Sequence, residues 1–255
     1  MKPILYQREK KARMSNQRHY PAIAPMQLAP LYPVLYRVLN PLFPACLWAG
    51  QSTHPVVALT FDDGPHPDYT PPLLDVLERY QVTASFFVLG QRVDRYPDLT
   101  QQIYQRGHWL GLHGYRHEGF PWLSAQALRQ SLTDTQRAIA HACGLEPTVV
   151  HQQVRDVRPP NGLFTPKTLS DLERWHYRPV MWSVVPEDWL EPGVDVVLDR
   201  VLQQVQNGSH IVLHDGYYGG RDVAATVERL IPALVARNFR FVTIDDLWQQ
   251  MAIAS

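Results

Sequence analysis

Cysteine is nearly missing from this chain of 255 residues. Cys46 and Cys143 stand far apart and in no metal-binding spacing, which excludes a disulfide framework and a zinc knuckle and leaves two buried thiols. Net charge is missing too: 24 Lys plus Arg balance 24 Asp plus Glu. No overall field therefore favours nucleic acid or an anionic partner, and a neutral substrate, small or polymeric, fits better. Nor is there an unbroken apolar span of the ~20 residues that a membrane-crossing helix needs. Internal repeats and low-complexity tracts are absent, and nothing in the pattern reads on oligomeric state.

The first fifty residues differ from the rest. Residues 1–20 carry Lys2, Arg8, Lys10, Lys11, Arg13 and Arg18 against Glu9, and residues 21–50 are apolar but interrupted by Pro21, Pro25, Pro30, Pro33, Pro41 and Pro44. Basic then apolar is the order of an export signal, yet the prolines and Arg37 break the apolar region such a signal needs. Phe43-Pro44-Ala45-Cys46 only faintly resembles a lipoprotein cleavage site. The structural alternative is an arm, residues 1–50, packing through Tyr32, Tyr36, Phe43 and Trp48 on one main domain spanning 51–255.

Beyond residue 55 the pattern becomes regular. Short runs rich in apolar, β-branched and aromatic residues (56–61, 84–89, 109–113, 154–158, 179–184, 210–214 and 239–244) alternate with longer amphipathic stretches. Residues 70–80, 125–143, 194–205 and 222–237 place apolar side chains at helical spacing, as with Leu73, Leu74, Leu77 and Tyr80. Strand, helix, strand repeated about seven times predicts an α/β fold whose parallel sheet is open or closed into a distorted (β/α) barrel. In such folds the site gathers where the strands end. Asp62, Asp63, His113, Arg158 and His214 each fall at the end of a predicted strand, so one mouth can collect them.

Each group has a bland reading as well. Asp62-Asp63-Gly64-Pro65 closes an apolar strand with two carboxylates, and Gly64 and Pro65 are expected to supply the turn that lets both serve one site; Asp before Gly-Pro is also ordinary turn chemistry. His113 and His117, in a Gly-rich loop, would join Asp63 as an Asp-His-His set suited to a divalent ion with positions left open; they also read as surface polarity or a structural hydrogen bond. Arg158-Pro159-Pro160-Asn161-Gly162 is a rigid turn with few backbone N–H groups, those near Asn161 being candidates for an oxyanion contact, or a plain loop. His214, delivered by a buried strand, is a proton donor or a structural histidine.

Taken together and in order, these blocks resemble the polysaccharide deacetylase family, the NodB-homology group of carbohydrate esterases, from about residue 55 to about residue 248. The matching blocks are Thr60 to Gly64, His113 to His117, Arg158 to Gly162, Pro186 to Trp189 and Leu213-His214, with Ala84 to Gly90 in support. The resemblance implies hydrolysis of an N- or O-acetyl group on a carbohydrate, with the catalytic domain in 51–255. It implies one divalent metal ion held by Asp63, His113 and His117, zinc first, with cobalt, manganese or nickel also accommodated. Asp62 would be the base that takes a proton from the attacking water, and Arg158 would pair with it and hold its charge. The backbone of Asn161 would meet the oxyanion, His214 would protonate the leaving group, and Leu213 with Trp189 would line the acetyl pocket and sugar groove.

Three departures from the family pattern set further expectations. Gly114 stands where Ser or Thr is usual, which removes a hydrogen bond that steadies the loop, and Asn161 replaces an aromatic of the groove wall. Val185 occupies the first Asp position of the fourth block, so His214 is expected to lack its usual partner unless Glu187 or Asp215 substitutes. The rival readings are a deformylase-type amide hydrolase on a small or lipid-linked sugar and a carbohydrate-binding protein with reduced catalysis. A polymeric substrate would place the protein at the cell envelope, a small sugar in the cytoplasm.

Overall fold

The structure is a computed structural model that describes residues 28–50 and 53–254. The basic stretch of residues 1–20, with its reading as part of an export signal, lies outside the described residues. The chain runs α1 (Tyr32–Leu42), β1 (Val56–Asp62), α2 (Thr70–Arg79), β2 (Ser85–Val88), α3 (Gly90–Arg95), α4 (Pro97–Gln105), β3 (Trp109–Leu112), α5 (Ala125–Cys143) and α6 (Pro147–Gln153). It continues through β4 (Asp156–Val157), α7 (Pro166–Arg174), β5 (Arg178–Pro179), α8 (Val194–Gln204), β6 (Ser209–His214), α9 (Val223–Val235), β7 (Arg240–Phe241) and α10 (Ile244–Ala254).

All seven strands pair in parallel, in the order β5-β4-β3-β2-β1-β6, with β7 joined to β1. β1, buried along its whole length, is the axis: β6 runs along one edge, while β7 takes the start of the other edge and β2 its end. Past β5 the chain reaches Val184, which bridges Ile211 of β6; Leu47 bridges Val180 and Ala49 bridges Ser209. These bridges span the seam between β5 and β6, so the sheet curls into a distorted (β/α) barrel.

Alternation along β1 and β6 sorts the layers. Val57, Leu59, Phe61, Ile211 and Leu213 pack with helix residues such as Leu73, Leu77, Val227 and Leu230 in the main core. Ala58, Thr60, Asp62, His210, Val212 and His214, the residues between, face the barrel interior and its mouth. The expected strand at 239–244 is cut short at Phe241. Thr243 caps α10 instead, its Oγ1 accepting the Asp246 N–H at 3.2 Å while the Asp246 carboxylate accepts the Thr243 N–H at 2.7 Å.

The described part of the arm packs as its aromatics predict. Trp48 is buried and meets Trp182 edge-on at 5.5 Å, Phe43 meets Phe164 at 5.0 Å, and Tyr32 meets Trp182 at 5.2 Å. Cys46 lies in this cluster, and burial pushes its thiol up to about 12.

Candidate active-site cleft

Every residue singled out at a strand end arrives at the same mouth. Asp62 is the last residue of β1, His113 follows β3, Arg158 follows β4, and His214 ends β6. The turn that separates the two carboxylates is made by Asp63 itself, at φ 72°, rather than by Gly64 or Pro65. Gly64 is needed for a different reason: a Cβ there would collide with the Asp215 carboxylate.

Asp63, His113 and His117 present ligand atoms that all lie within 4.8 Å of one another. Nε2 of each histidine is 3.5 Å from Asp63 Oδ1, too long for a good hydrogen bond. That oxygen is buried and has no hydrogen-bond partner. A buried carboxylate oxygen left in this state is costly, and the Asp-His-His donor set around it fits a divalent cation. His113 Nδ1 donates to the Arg158 carbonyl at 2.7 Å, which fixes the tautomer and turns the Nε2 lone pair toward Asp63. Burial lowers the His113 pKa to about 3, keeping the ring neutral as a ligand must be. The loop that carries both histidines is steadied without the usual hydroxyl: the Gly114 and Tyr115 carbonyls accept from Gly90 and Gln91, and Ser131 Oγ accepts the Tyr115 N–H at 2.8 Å. Gly114 sits at φ 83°, where a side chain would be strained.

Asp62 and Arg158 form a buried pair. Arg158 Nη1 donates to Asp62 Oδ1 at 2.7 Å and to Thr60 Oγ1 at 2.8 Å, Nη2 donates to the Met181 carbonyl at 3.1 Å, and the guanidinium lies 4.0 Å over the Phe87 ring. Charge, hydrogen bonds and stacking together leave the Asp62 carboxylate one orientation.

His214 is partnered, and neither Glu187 nor Asp215 supplies the partner. Asp188 Oδ1 is 2.8 Å from His214 Nδ1, and Asp188 Oδ2 accepts the His214 backbone N–H at 2.7 Å. Glu187 is turned to the Leu28 N–H and Arg200, while Asp215 accepts from Thr70 Oγ1 at 2.5 Å. Burial disfavours the charged form of His214, but Asp188, with help from Asp63 and Asp62, outweighs it and raises the pKa to about 9. Val185, where a partner was expected, is an apolar part of the cleft wall.

These groups surround a cavity of about 630 Å³ lined by Asp62, Asp63, His113, His117, Arg158, Asn161, Val185, Trp189 and His214 among others. Asn161 takes the left-handed conformation at φ 57°, and among the described residues its N–H has no protein acceptor. Trp189 packs edge-on against His214 at 5.2 Å. Leu213 does not line the cavity. It is fully buried in the core beneath the helices, and Val212, its neighbour on the opposite face of β6, takes the expected place. Sequence reasoning also missed Tyr32, Gln91, Arg92, Trp182, Tyr217 and Tyr218 as residues of the lining. Exposed aromatics just after His214 were the only signal for the last two.

Residues 49–180 match the family model for polysaccharide deacetylase. The chain belongs to the polysaccharide deacetylase family. Over 202 residues it is 32% identical to a peptidoglycan-N-acetylglucosamine deacetylase of Bacillus cereus, the match covering 78% of this chain and 91% of that protein. A chitooligosaccharide deacetylase of Sinorhizobium fredii is 36% identical over 196 residues, covering 72% and 88%. The structure of Bacillus subtilis PdaA, a family 4 carbohydrate esterase, superposes with a TM-score of 0.75 at 29% identity, covering 84% of this chain and 90% of that one. Members of the polysaccharide deacetylase family are hydrolases of amide carbon–nitrogen bonds.

Proposed function

We propose that this polysaccharide deacetylase removes N-acetyl or O-acetyl groups from a peptidoglycan-like or chitin-like carbohydrate, using one divalent ion held by Asp63, His113 and His117, with zinc the best suited to an Asp-His-His set. The observation that carries the reading is the orphaned Asp63 oxygen between two histidines, flanked by a carboxylate on one side and a partnered histidine on the other. Such an ion, when bound, acidifies water and polarises the acetyl carbonyl.

The side chains divide the remaining work. Asp62, oriented by Arg158, takes a proton from the attacking water as the new carbon–oxygen bond forms. The Asn161 N–H donates to the oxygen on which negative charge develops. His214, protonated at neutral pH, gives its proton to the departing sugar nitrogen as the carbon–nitrogen bond breaks, releasing acetate and the amine. Trp189 and Val212 bound the space for the acetyl methyl and its sugar. In this reading the catalytic domain spans 51–255, and the arm of 1–50 lends the cleft Tyr32.

The test is a product assay on N-acetylated chito-oligosaccharides, peptidoglycan glycan strands and their N-formylated counterparts. Acetate from a glycan supports the assignment; formate alone, or neither acid, contradicts it.

A further inference from the structure

Arg92 is the charged group of the cleft wall that the hydrolytic machinery does not use. Of the other charges around the cavity, Asp62 and Arg158 pair at 2.7 Å, Asp63 belongs to the Asp-His-His set, and His214 is held by Asp188 at 2.8 Å. The Arg92 guanidinium has no hydrogen-bond or ion-pair partner among the described residues. Asp94, the nearest acid along the chain, is turned to the Tyr115 hydroxyl, which it accepts at 2.7 Å. Arg92 is half-buried, so it has given up part of its water without gaining an anion.

The root of this side chain is fixed beside the histidines. The first two N–H groups of α3 donate to the loop that carries His113 and His117, Gly90 to the Gly114 carbonyl at 3.0 Å and Gln91 to the Tyr115 carbonyl at 2.9 Å. The Arg92 N–H donates to the Leu89 carbonyl at 2.8 Å, and Val93 next to it is wholly buried. The positive charge is felt locally: burial lowers the His66 pKa first, Arg92 and Arg95 lower it further, and Asp68 opposes them.

A guanidinium fork held in a cleft matches a carboxylate, which it binds through two parallel N–H donors. The acetyl group that reacts is neutral, so the anion has to be another substituent of the glycan. We propose that Arg92 selects N-acetylated glycans that carry a carboxylate, binding it while the acetyl group lies at Asp63, His113 and His117, a role that rests on the deacetylase reading of the site. A lactyl ether or a uronic acid supplies the group. The zero net charge of the chain, which favoured a neutral substrate, bears on long-range attraction and not on a single contact inside the cleft.

The test compares each acid with its methyl ester, which keeps the shape and removes the charge. The substrates are glycan strands containing N-acetylmuramic acid and oligosaccharides alternating N-acetylglucosamine with glucuronic acid. Acetate release gives kcat/KM, and NMR titration with the deacetylated forms, which are not turned over, gives Kd. Wild type is expected to favour one acid over its ester by about tenfold or more in both readings, and the preferred acid identifies the source of the carboxylate. Arg92→Ala is expected to bring the ratio to about one, and Arg92→Lys, which keeps the charge without the fork, to an intermediate value. Loss of folded protein would lower acid and ester alike, so the ratio isolates the contact. Equal values for acid and ester in wild type that releases acetate, or a preference that survives Arg92→Ala, would overturn the role of Arg92 and leave the deacetylase reading intact. Acetate from none of the glycans, with the acid still bound through Arg92, would support the contact and overturn that reading instead.

Discussion

Asp188 grips His214 at two points, the ring nitrogen at 2.8 Å through one carboxylate oxygen and the backbone N–H at 2.7 Å through the other. The first contact favours the imidazolium form, and the second fixes where the ring stands. Val185 therefore does not leave the acid side of the cleft without a carboxylate.

Asp188→Asn removes the charge that opposes burial at His214. With an acid whose pKa is raised to about 9, activity is expected to persist through neutral pH and to fall as the proton is lost above that value. In the variant burial acts with less opposition, so the falling limb shifts to lower pH and turnover at neutral pH drops by about tenfold or more. The pH profile of kcat checks this; an alkaline limb that does not move would remove Asp188 from its role.

Asp62→Asn and His117→Ala separate base from ligand. The first is expected to keep the bound metal and lose about 10²–10⁴-fold in kcat, and the second to lose both. Metal content per chain, measured beside kcat for each variant, gives the comparison. Full activity of Asp62→Asn on an acetylated sugar would show that the base lies elsewhere.

Arg158→Met leaves the Asp62 carboxylate buried without its cation. Removing one partner of such a pair is expected to lower folding stability by about 3–5 kcal/mol, and to lower kcat besides. Urea denaturation followed by fluorescence reads the first effect. A stability unchanged from wild type would mean that the pair at 2.7 Å contributes nothing to the fold.

Leu213→Ala and Val212→Ala, neighbours on β6, should behave oppositely. Leu213 is wholly buried under the helices, so its truncation is expected to destabilise by about 2–5 kcal/mol with little change in KM. Val212 touches the cavity, so its truncation is expected to change KM more than stability. Steady-state kinetics with thermal melts tells them apart.

Much of this was legible in the sequence, for physical reasons. Short runs rich in apolar, β-branched and aromatic residues fall on or against each of the seven strands, and a strand that ends in Asp, His or Arg delivers that residue to the barrel mouth. The helices α3 and α4, six and nine residues long and abutting at Tyr96-Pro97, were not among the stretches read as helical. Leu213 could have been corrected from sequence, because a residue next to His214 on a strand faces the other way. Asp188 could not. It lies 26 positions from His214 and is returned to it by a loop with left-handed turns at Glu187 and Glu191, a path that no local pattern encodes. The turn at Asp63 was obscured by Gly64-Pro65, whose presence suggested that they made it.

The most direct measurement is acetate release from an N-acetylated chito-oligosaccharide by the same preparation as purified, after chelation, and after zinc is returned, with metal content determined at each stage. About one divalent ion per chain is expected, with activity abolished by chelation and restored with the metal. Undiminished release of acetate by metal-free protein would contradict the role given to Asp63, His113 and His117.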